Sequence, residues 1–286
     1  MTGASSPAVS PGSSIDALLK NAPLDPLETR ILLSHALGLT RVQLITRSEH
    51  VFTAEEAQRL SALFQRRING EPIAYIVGER EFFGLSFHVS PDVLIPRPET
   101  ELLVELALER LPQNGRVLDM GSGSGAIAVA IAHARPDASV MAVDVSEAAL
   151  AIARRNAARH GASVVFLQSN WYEALANRQF DVIVANPPYI IQDDVHLSQG
   201  DLRFEPIDAL TDHADGLSAL RTIIGGARNH LASGGWLMME HGYDQASHVR
   251  DLLHAQGFAY VQSWKDLASI ERASGGIAPQ SSTSPA

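Results

Sequence analysis

Apolar residues recur along the chain with two different periods, and the change of period divides the sequence. From about Ser14 to Gly70 the spacing is helical. Thr53 and Glu56 form a capping-box pattern at the start of one helix. The apolar positions that follow share one helix face, and they are Ala57, Leu60, Leu63 and Phe64. We therefore predict a small helical domain over residues 14–70.

Residues 71–98 are predicted to form a hairpin and linker. Aromatic residues cluster between Phe82 and Phe87, and Gly84 interrupts them. A glycine inside a short aromatic stretch is typical of a β-hairpin turn.

After Glu99, a helix with apolar Leu102, Leu103, Leu106 and Ala107 precedes alternating strands and helices. The predicted strands are 115–120, 138–144, 163–168, 180–185, 234–240, 258–264 and 267–273. The predicted helices between them are 124–134, 147–160, 216–232 and 244–256. This alternation indicates an α/β fold, a Rossmann-like seven-stranded and mostly parallel sheet over residues 99–274, with ligands at the carboxyl ends of the strands.

Composition limits the classes of function. The formal net charge is −10, which opposes binding through nucleic-acid phosphates, so we expect no nucleic-acid partner. Cysteine is absent, which excludes disulfides, thiolate nucleophiles and cysteine-ligated metals. The eleven histidines form no HExxH pattern, and we expect no metal.

The N-terminus lacks a basic region followed by an apolar core. Residues 1–13 and 275–286, rich in small and polar residues, are predicted to be a disordered leader and tail. The longest apolar run, 126–132, is too short to span a bilayer, so we expect no membrane partner. We expect a cytoplasmic monomer.

Asn186-Pro187-Pro188-Tyr189 directly follows the apolar run 182–185. Each proline restricts its predecessor to extended backbone, which leaves carbonyl acceptors unpaired. The Asn186 side-chain oxygen and the Pro187 carbonyl can accept both N–H groups of an amide, while Tyr189 packs on its flat face. A planar nitrogen with a delocalised lone pair is a poor nucleophile that must be held before it is methylated. The tetrad indicates such chemistry, with a proline-rich turn as the open alternative.

A glycine-rich loop follows the first strand of the sheet. Its spacing is Gly-x-Gly-x-Gly, with Asp119 two residues before the first glycine, and it consists of Gly121, Ser122, Gly123, Ser124 and Gly125. This spacing resembles the S-adenosylmethionine site of Rossmann-like methyltransferases more than the dinucleotide fingerprint. A nucleotide site, an NAD site or a plain tight turn remains open.

The next two strands end at further candidate cofactor ligands. Asp144 can accept hydrogen bonds from both ribose hydroxyls, although a helix cap would need the same residue type. Asn170 and Trp171 follow the third strand, where an amide and an indole can contact adenine, although Trp171 can equally be packing.

With these motifs the chain resembles the release-factor glutamine methyltransferase family, often called HemK or PrmC, over residues 14–273. The match includes 71–78, the run Leu94 to Glu101, Arg203-Phe204-Glu205-Pro206 and Lys265 to Ala268. The resemblance implies methyl transfer from S-adenosylmethionine, leaving S-adenosylhomocysteine, to the glutamine amide nitrogen of the Gly-Gly-Gln loop in class 1 peptide chain release factors.

The same resemblance implies roles for individual residues. Gly121 to Gly125 would line the methionine moiety, Asp144 would bind ribose, and Trp171 would lie at the adenine. The tetrad, from Asn186 to Tyr189, would hold the glutamine amide, with Asn186, Pro187 and Tyr189 as the catalytic residues. Asn186 would also contact the cofactor. Asn170 departs from the Asp of many relatives but still offers an acceptor.

The run from Arg97 to Glu101 would lie over the pocket, with a helix N-terminal cap as the alternative. The helical domain before Gly70 is expected to grip the release factor, because a single glutamine offers too little contact area.

Other functions share parts of these motifs. A glutamine methyltransferase of a large-subunit ribosomal protein would have the same tetrad and pocket, and nucleic-acid amino methyltransferases use similar tetrads. A binder that senses S-adenosylmethionine without catalysis would need no tetrad. The acidic composition and the run from Leu94 to Glu101 favour the release-factor enzyme.

Overall fold

The computed structural model describes residues 9–278. Within them the chain divides into a first unit that ends at Gly78 and a second unit that begins at Glu79. Each unit has a hydrophobic core of its own. None of the helices in this range combines the length and the apolar character that a membrane crossing requires.

The first unit is helical, as its apolar period predicts. Between residues 9 and 78 it contains α1 (Ile15–Asn21), α2 (Pro26–Leu37), α3 (Arg41–Thr46), α4 (Ala54–Ile68) and α5 (Ile73–Val77). The predicted capping box begins α4, because Thr53 Oγ1 accepts from the Glu56 amide and a Glu56 carboxylate oxygen accepts from the Thr53 amide. On the predicted face of α4, Ala57, Leu60 and Phe64 are buried and Leu63 is half-buried.

The helical unit extends beyond both predicted bounds. Val9 is buried, and its backbone N–H and carbonyl both bond to the Ser61 hydroxyl, so the leader prediction was wrong for residues 9–13. Residues 1–8 lie outside the described part of the chain. At the other end, residues 73–77 form the helix α5 and not a strand, and Ile76 of this helix packs into the helical core. The first unit therefore ends at Gly78, and the predicted domain boundary at Gly70 was wrong.

The second unit opens with the predicted hairpin, which is shorter than expected. Strand β1 (Glu79–Phe82) pairs antiparallel with β2 (Leu85–His88). The two residues between them, Phe83 and Gly84, have φ of 51° and 73°. A two-residue turn with positive φ at both positions matches the twist of its strands, which explains the glycine.

The remainder of the second unit is an α/β sandwich. Within the described residues its sheet contains β3 (Arg116–Met120), β4 (Ser139–Asp144), β5 (Val164–Gln168), β6 (Phe180–Ala185), β7 (Leu231–Glu240), β8 (Ala259–Lys265) and β9 (Glu271–Ile277). The strand order is β5-β4-β3-β6-β7-β9-β8; the strands are parallel up to β7, and β9 is antiparallel to both neighbours. The prediction of a mostly parallel seven-stranded sheet is confirmed.

Helices cover both faces of this sheet. The helices of the described part of this unit are α6 (Glu101–Arg110), α7 (Ala126–Ala134), α8 (Glu147–His160), α9 (Ile207–Leu210), α10 (Ser218–His230) and α11 (Ala246–Ala255). Successive strand residues point to opposite faces, so Val117 packs in one core cluster and Leu118 in the other. The strand order reverses at β3, which is where an open parallel sheet leaves a crevice for ligands.

The last strand lies later in the chain than predicted. Asp266 Oδ1 accepts from the backbone of Ala268 and Ile270, which folds 266–270 into a turn and starts β9 at Glu271. The tail prediction was therefore wrong for 275–277. Glycine occurs there because a Cβ on Gly275 would lie 2.2 Å from the Leu237 carbonyl oxygen. Residues 279–286 of the predicted tail lie outside the described residues.

Candidate active site

A cavity of about 260 Å³ lies at the carboxyl ends of β3, β4, β5 and β6. The residues predicted from sequence that line it are Gly121, Gly123, Asp144, Asn170, Trp171, Asn186 and Pro188. They come from the segment after each of these four strands, so the structure brings the separately predicted motifs to one cavity. Ser122, Ser124 and Gly125 belong to the same loop but do not line it.

The glycine loop is tied to the neighbouring strand. The amides of Gly121 and Ser122 both donate to the Val143 carbonyl, at 2.9 and 3.0 Å. Gly125 begins α7 with a φ of 80°, and a Cβ there would lie 3.0 Å from the Cβ of Ala153. Glycine at 125 therefore permits both the turn and the close approach of α8.

Asp144 is fixed by two backbone amides. One carboxylate oxygen accepts from Gly123 N at 2.8 Å and the other from Ser146 N at 2.9 Å. The cap of α8 is Ser146, whose hydroxyl accepts from the Ala149 amide, so the alternative reading of Asp144 as a helix cap was wrong. Burial raises the pKa of Asp144. Each carboxylate oxygen keeps capacity for another donor.

The segment after β5 supplies an amide and an indole. The side-chain nitrogen of Asn170 donates to the Glu173 carboxylate at 2.8 Å, so the Asn170 side-chain oxygen is not used in this hydrogen bond. Trp171 packs against one core cluster and also lines the cavity, so packing and ligand contact are compatible at this residue.

Residues of the tetrad line two cavities. Asn186 lines the larger cavity and also a smaller one of about 70 Å³, which Pro187, Tyr189 and Arg97 line as well. Among residues 9–278, no group donates a hydrogen bond to Asn186 Oδ1 or to the Pro187 carbonyl. The acceptors that the sequence predicted are therefore not used by internal partners.

A buried network behind the tetrad was not predicted. Glu240 ends β7 and is 3% exposed; its carboxylate accepts from the Thr100 hydroxyl at 2.6 Å and from the Tyr189 hydroxyl at 3.1 Å. Thr100 Oγ1 in turn accepts from Asn186 Nδ2 at 3.1 Å. Burial raises the pKa of Glu240 to about 7, and burial also raises the pKa of Tyr189.

Two residues at the start of α6 have contacts that differ from a helix cap. Thr100 makes no cap hydrogen bond at the start of α6, so its reading as a helix cap was wrong. Glu101 accepts from the Phe83 amide at 2.8 Å and thereby supports the hairpin turn. The signal in the sequence that could have identified Glu240 is an acidic residue directly after the apolar run 237–239, at the end of a predicted strand.

The segments before α6 and before α9 are joined by Glu205. Its buried carboxylate accepts from the Ile95 amide at 3.0 Å and forms an ion pair with Arg97. Arg97 and Leu94 line the smaller cavity, and Pro206 lines the larger one. The ion pair therefore connects two segments that border the tetrad.

Buried polar atoms without partners occur in the glycine-loop region. Asp119 is fully buried; one carboxylate oxygen accepts from Ala128 N at 3.1 Å, and the other has no partner among the described residues. Burial raises the pKa of Asp119 to about 7. The Ser122 hydroxyl also has no partner in this part of the chain.

Family models match both units of the chain. The one described as PrmC N-terminal domain matches residues 14–78, and the one described as Methyltransferase small domain matches residues 98–201.

Among similar proteins, the release factor glutamine methyltransferase of Burkholderia pseudomallei is 57% identical over 271 residues, covering 92% of this chain and 95% of that protein. The release factor glutamine methyltransferase of Escherichia coli is 46% identical over 248 residues, covering 86% and 89%.

Solved structures share the fold. A methyltransferase from Pyrococcus furiosus has a TM-score of 0.55 at 20% identity, covering 77% of this chain and 99% of that one. The T. thermophilus 16S rRNA N2 G1207 methyltransferase (RsmC), in complex with AdoMet and guanosine, has a TM-score of 0.52 at 23% identity, covering 70% and 49%. At these identities the likeness concerns the fold alone.

Proposed function

Since this chain belongs to the release factor glutamine methyltransferase family, we propose that it methylates the side-chain amide nitrogen of the glutamine in the Gly-Gly-Gln motif of class 1 peptide chain release factors. The methyl donor is S-adenosylmethionine. The observation that carries the proposal is the position of Asn186, which borders the large cavity and the small one with an unused acceptor.

The residues of the large cavity fit S-adenosylmethionine. A Cβ on Gly123 would meet no atom within 4 Å, so the loop leaves open space beside the cavity. Asp144 would accept from the ribose hydroxyls and Asn170 from the adenine amine, with Trp171 beside the ring. When bound, this cofactor supplies an electrophilic methyl group on a sulfonium.

The tetrad would hold the glutamine amide in the small cavity. Asn186 Oδ1 and the Pro187 carbonyl would accept its two N–H groups, while Tyr189, fixed by its bond to Glu240, would contact the flat face. Alignment of bound reactants supplies up to about 7–11 kcal/mol, whereas one hydrogen bond contributes about 0.5–1.5 kcal/mol net.

The two acceptors also act on the reaction itself. They favour the more positive N–H groups that develop as the nitrogen gives up its lone pair, which stabilises the transition state more than the bound substrate. Once methylated, the nitrogen is a strong acid that loses its proton to water, and no side chain is assigned as a general base.

The helical unit is proposed to recognise the folded release factor. Two apolar side chains of α3 are strongly exposed, Val42 at 67% and Ile45 at 72%. They lie three residues apart on a short helix, so they share one face.

Further properties remain predictions: a cytoplasmic location, a monomeric state, and activity without metal, nucleic acid or membrane.

The test is incubation with labelled S-adenosylmethionine and, in separate reactions, purified release factors, ribosomal proteins and nucleic acids. We expect the methyl group on the glutamine of Gly-Gly-Gln, located by mass spectrometry. Label confined to a ribosomal protein or a nucleic acid would overturn the proposal.

The variant Asn186→Ala tests the tetrad in the same assay. It removes one acceptor and should lower kcat by roughly 100- to 1,000-fold. Its affinity for S-adenosylmethionine should change little, because other residues of the large cavity hold the cofactor. Near-normal turnover of this variant would exclude the assigned role.

A further inference from the structure

Glu240, Thr100 and Asn186 form a chain of hydrogen bonds with a defined direction. A carboxylate can only accept, so the single hydroxyl proton of Thr100 goes to Glu240 at 2.6 Å. The Thr100 oxygen then has only lone pairs to offer Asn186. It must therefore be met by the amide nitrogen of Asn186, which donates at 3.1 Å.

The direction of this chain decides which end of the Asn186 amide meets the substrate. The nitrogen and oxygen of a side-chain amide are similar in size, and either end fits the same space when no partner discriminates between them. With Nδ2 held at Thr100, Oδ1 is turned away from Thr100. A flipped amide would present N–H groups to the N–H groups of the glutamine, and both partners would be donors.

We propose that Glu240 is a positioning residue that orients Asn186 through Thr100, so that an acceptor and not a donor meets the substrate amide. This inference rests on the proposed function. Glu240 lies at the end of β7, next to the strand that carries the tetrad. Its other oxygen accepts from the Tyr189 hydroxyl, so one carboxylate holds two members of the tetrad.

The protonation state of Glu240 controls the direction of the chain. Burial raises the pKa of Glu240 to about 7, and the charge of Glu99 adds to this rise. The hydrogen bonds from Thr100 and Tyr189 and the charge of Arg272 lower the pKa of Glu240 but do not outweigh burial. A protonated Glu240 can donate to Thr100, whose own proton is then free to turn toward Asn186. Turnover should therefore fall as the pH decreases through about 7.

The first test is Glu240→Gln, assayed at pH 8 with the full chain and a release factor. Among the described residues the Tyr189 hydroxyl donates only to Glu240, so its proton keeps a partner only if the introduced amide oxygen faces it. The introduced nitrogen then faces Thr100, and the chain is reversed. We expect kcat to fall roughly 10- to 100-fold, as for loss of one or two well-placed hydrogen bonds. The fall below pH 7 should also disappear.

Variants of Thr100 separate orientation from packing. Thr100→Val keeps the shape and removes the hydroxyl, so it should lose turnover as Glu240→Gln does. Thr100→Ser restores the hydroxyl and should recover most of the turnover that valine loses. Glu105→Gln, at an exposed position of the same helix α6, is the matched control and should leave kcat unchanged.

The decisive test combines Glu240→Gln with Asn186→Asp. While Glu240 is ionised, the Thr100 proton points to Glu240, so a carboxylate oxygen of an aspartate at 186 would face a Thr100 lone pair and the two acceptors would repel each other. With glutamine at 240, the reversed chain brings the Thr100 proton to the aspartate and leaves its second oxygen for the substrate. The double variant should therefore turn over faster than Asn186→Asp alone, whereas a merely structural role of Glu240 predicts that the two losses multiply.

Controls distinguish the possible failures. Thermal unfolding and calorimetric titration with S-adenosylmethionine show whether each variant is folded and binds cofactor. If the unmodified enzyme methylates the release factor and Glu240→Gln is equally fast, or if the double variant shows no recovery, the role of Glu240 is lost and the proposed function stands. If the unmodified enzyme does not methylate the release factor, the proposed function itself fails.

Discussion

Asp119→Asn should make the stability of the second unit less dependent on pH. Asp119 is fully buried, one of its oxygens has no partner among the described residues, and its pKa is raised from 3.8 to about 7. A carboxyl group with a raised folded-state pKa stabilises the fold below its unfolded pKa, and that contribution is lost as the pH rises through the folded value. The loss therefore falls between about pH 4 and pH 7.

The size of the effect follows from the same pKa values. Each tenfold difference in proton affinity between folded and unfolded states corresponds to about 1.4 kcal/mol. Between pH 5 and pH 8 the loss of the Asp119 proton, which the unfolded state gives up more readily, should therefore cost the folded protein roughly 3 kcal/mol. Asparagine keeps an acceptor for the Ala128 amide but does not ionise, so the variant should lack this loss.

Urea unfolding of the cofactor-free protein at pH 5 and pH 8 measures the difference. All three tryptophans, at 171, 236 and 264, lie in the second unit, so their fluorescence reports on the unit that contains Asp119. Relative to the unmodified protein, the unfolding free energy of Asp119→Asn should rise by roughly 3 kcal/mol from pH 5 to pH 8.

Asp137, in the same unit, provides a control because its pKa is shifted in the opposite direction to that of Asp119. The Arg135 guanidinium holds the pKa of exposed Asp137 well below its usual range. Asp137→Asn should lose the same stability at both pH values, because Asp137 is ionised in both states throughout. If Asp119→Asn also differed from the unmodified protein by a constant amount, the raised pKa of Asp119 would be refuted.

Two further substitutions test the cofactor and protein-substrate assignments. Asp144→Ala removes charge-assisted acceptors and should raise the Kd for S-adenosylmethionine roughly 10- to 100-fold, as measured by calorimetry. An unchanged Kd would exclude the proposed contact between Asp144 and the ribose. Ile45→Glu should raise KM for an intact release factor without changing the rate on a short Gly-Gly-Gln peptide, and equal effects on both substrates would exclude a recognition role for α3.

The sheet was predictable because its central strands are buried on both faces. Such strands are short runs of apolar residues, and the run 182–185 places Asn186 at a strand end without any knowledge of the fold. The cofactor-loop and tetrad residues then share a cavity because the carboxyl ends of parallel strands lie at one edge.

Elements that depend on tertiary contacts were not predictable. Glycine and serine in 274–276 resemble a tail in composition, yet Gly275 is required by the nearby Leu237 carbonyl. Thr100 and Glu240 are separated by 140 positions in the chain, and their partnership exists only because α6, which follows Thr100, packs against β7. Local sequence offered a helix cap as an alternative role for Thr100, and nothing local marked Glu240 as its partner.

The location of Glu240 on β7 sets when the enzyme can become competent during synthesis. The chain emerges from the ribosome in order, and a nascent protein that ends after β6 already contains the glycine loop, Asp144 and the whole tetrad. It lacks the strand that carries Glu240. Such a fragment has every residue proposed to touch cofactor or substrate, and by the proposed role of Glu240 full activity still awaits the pairing of β7 with β6.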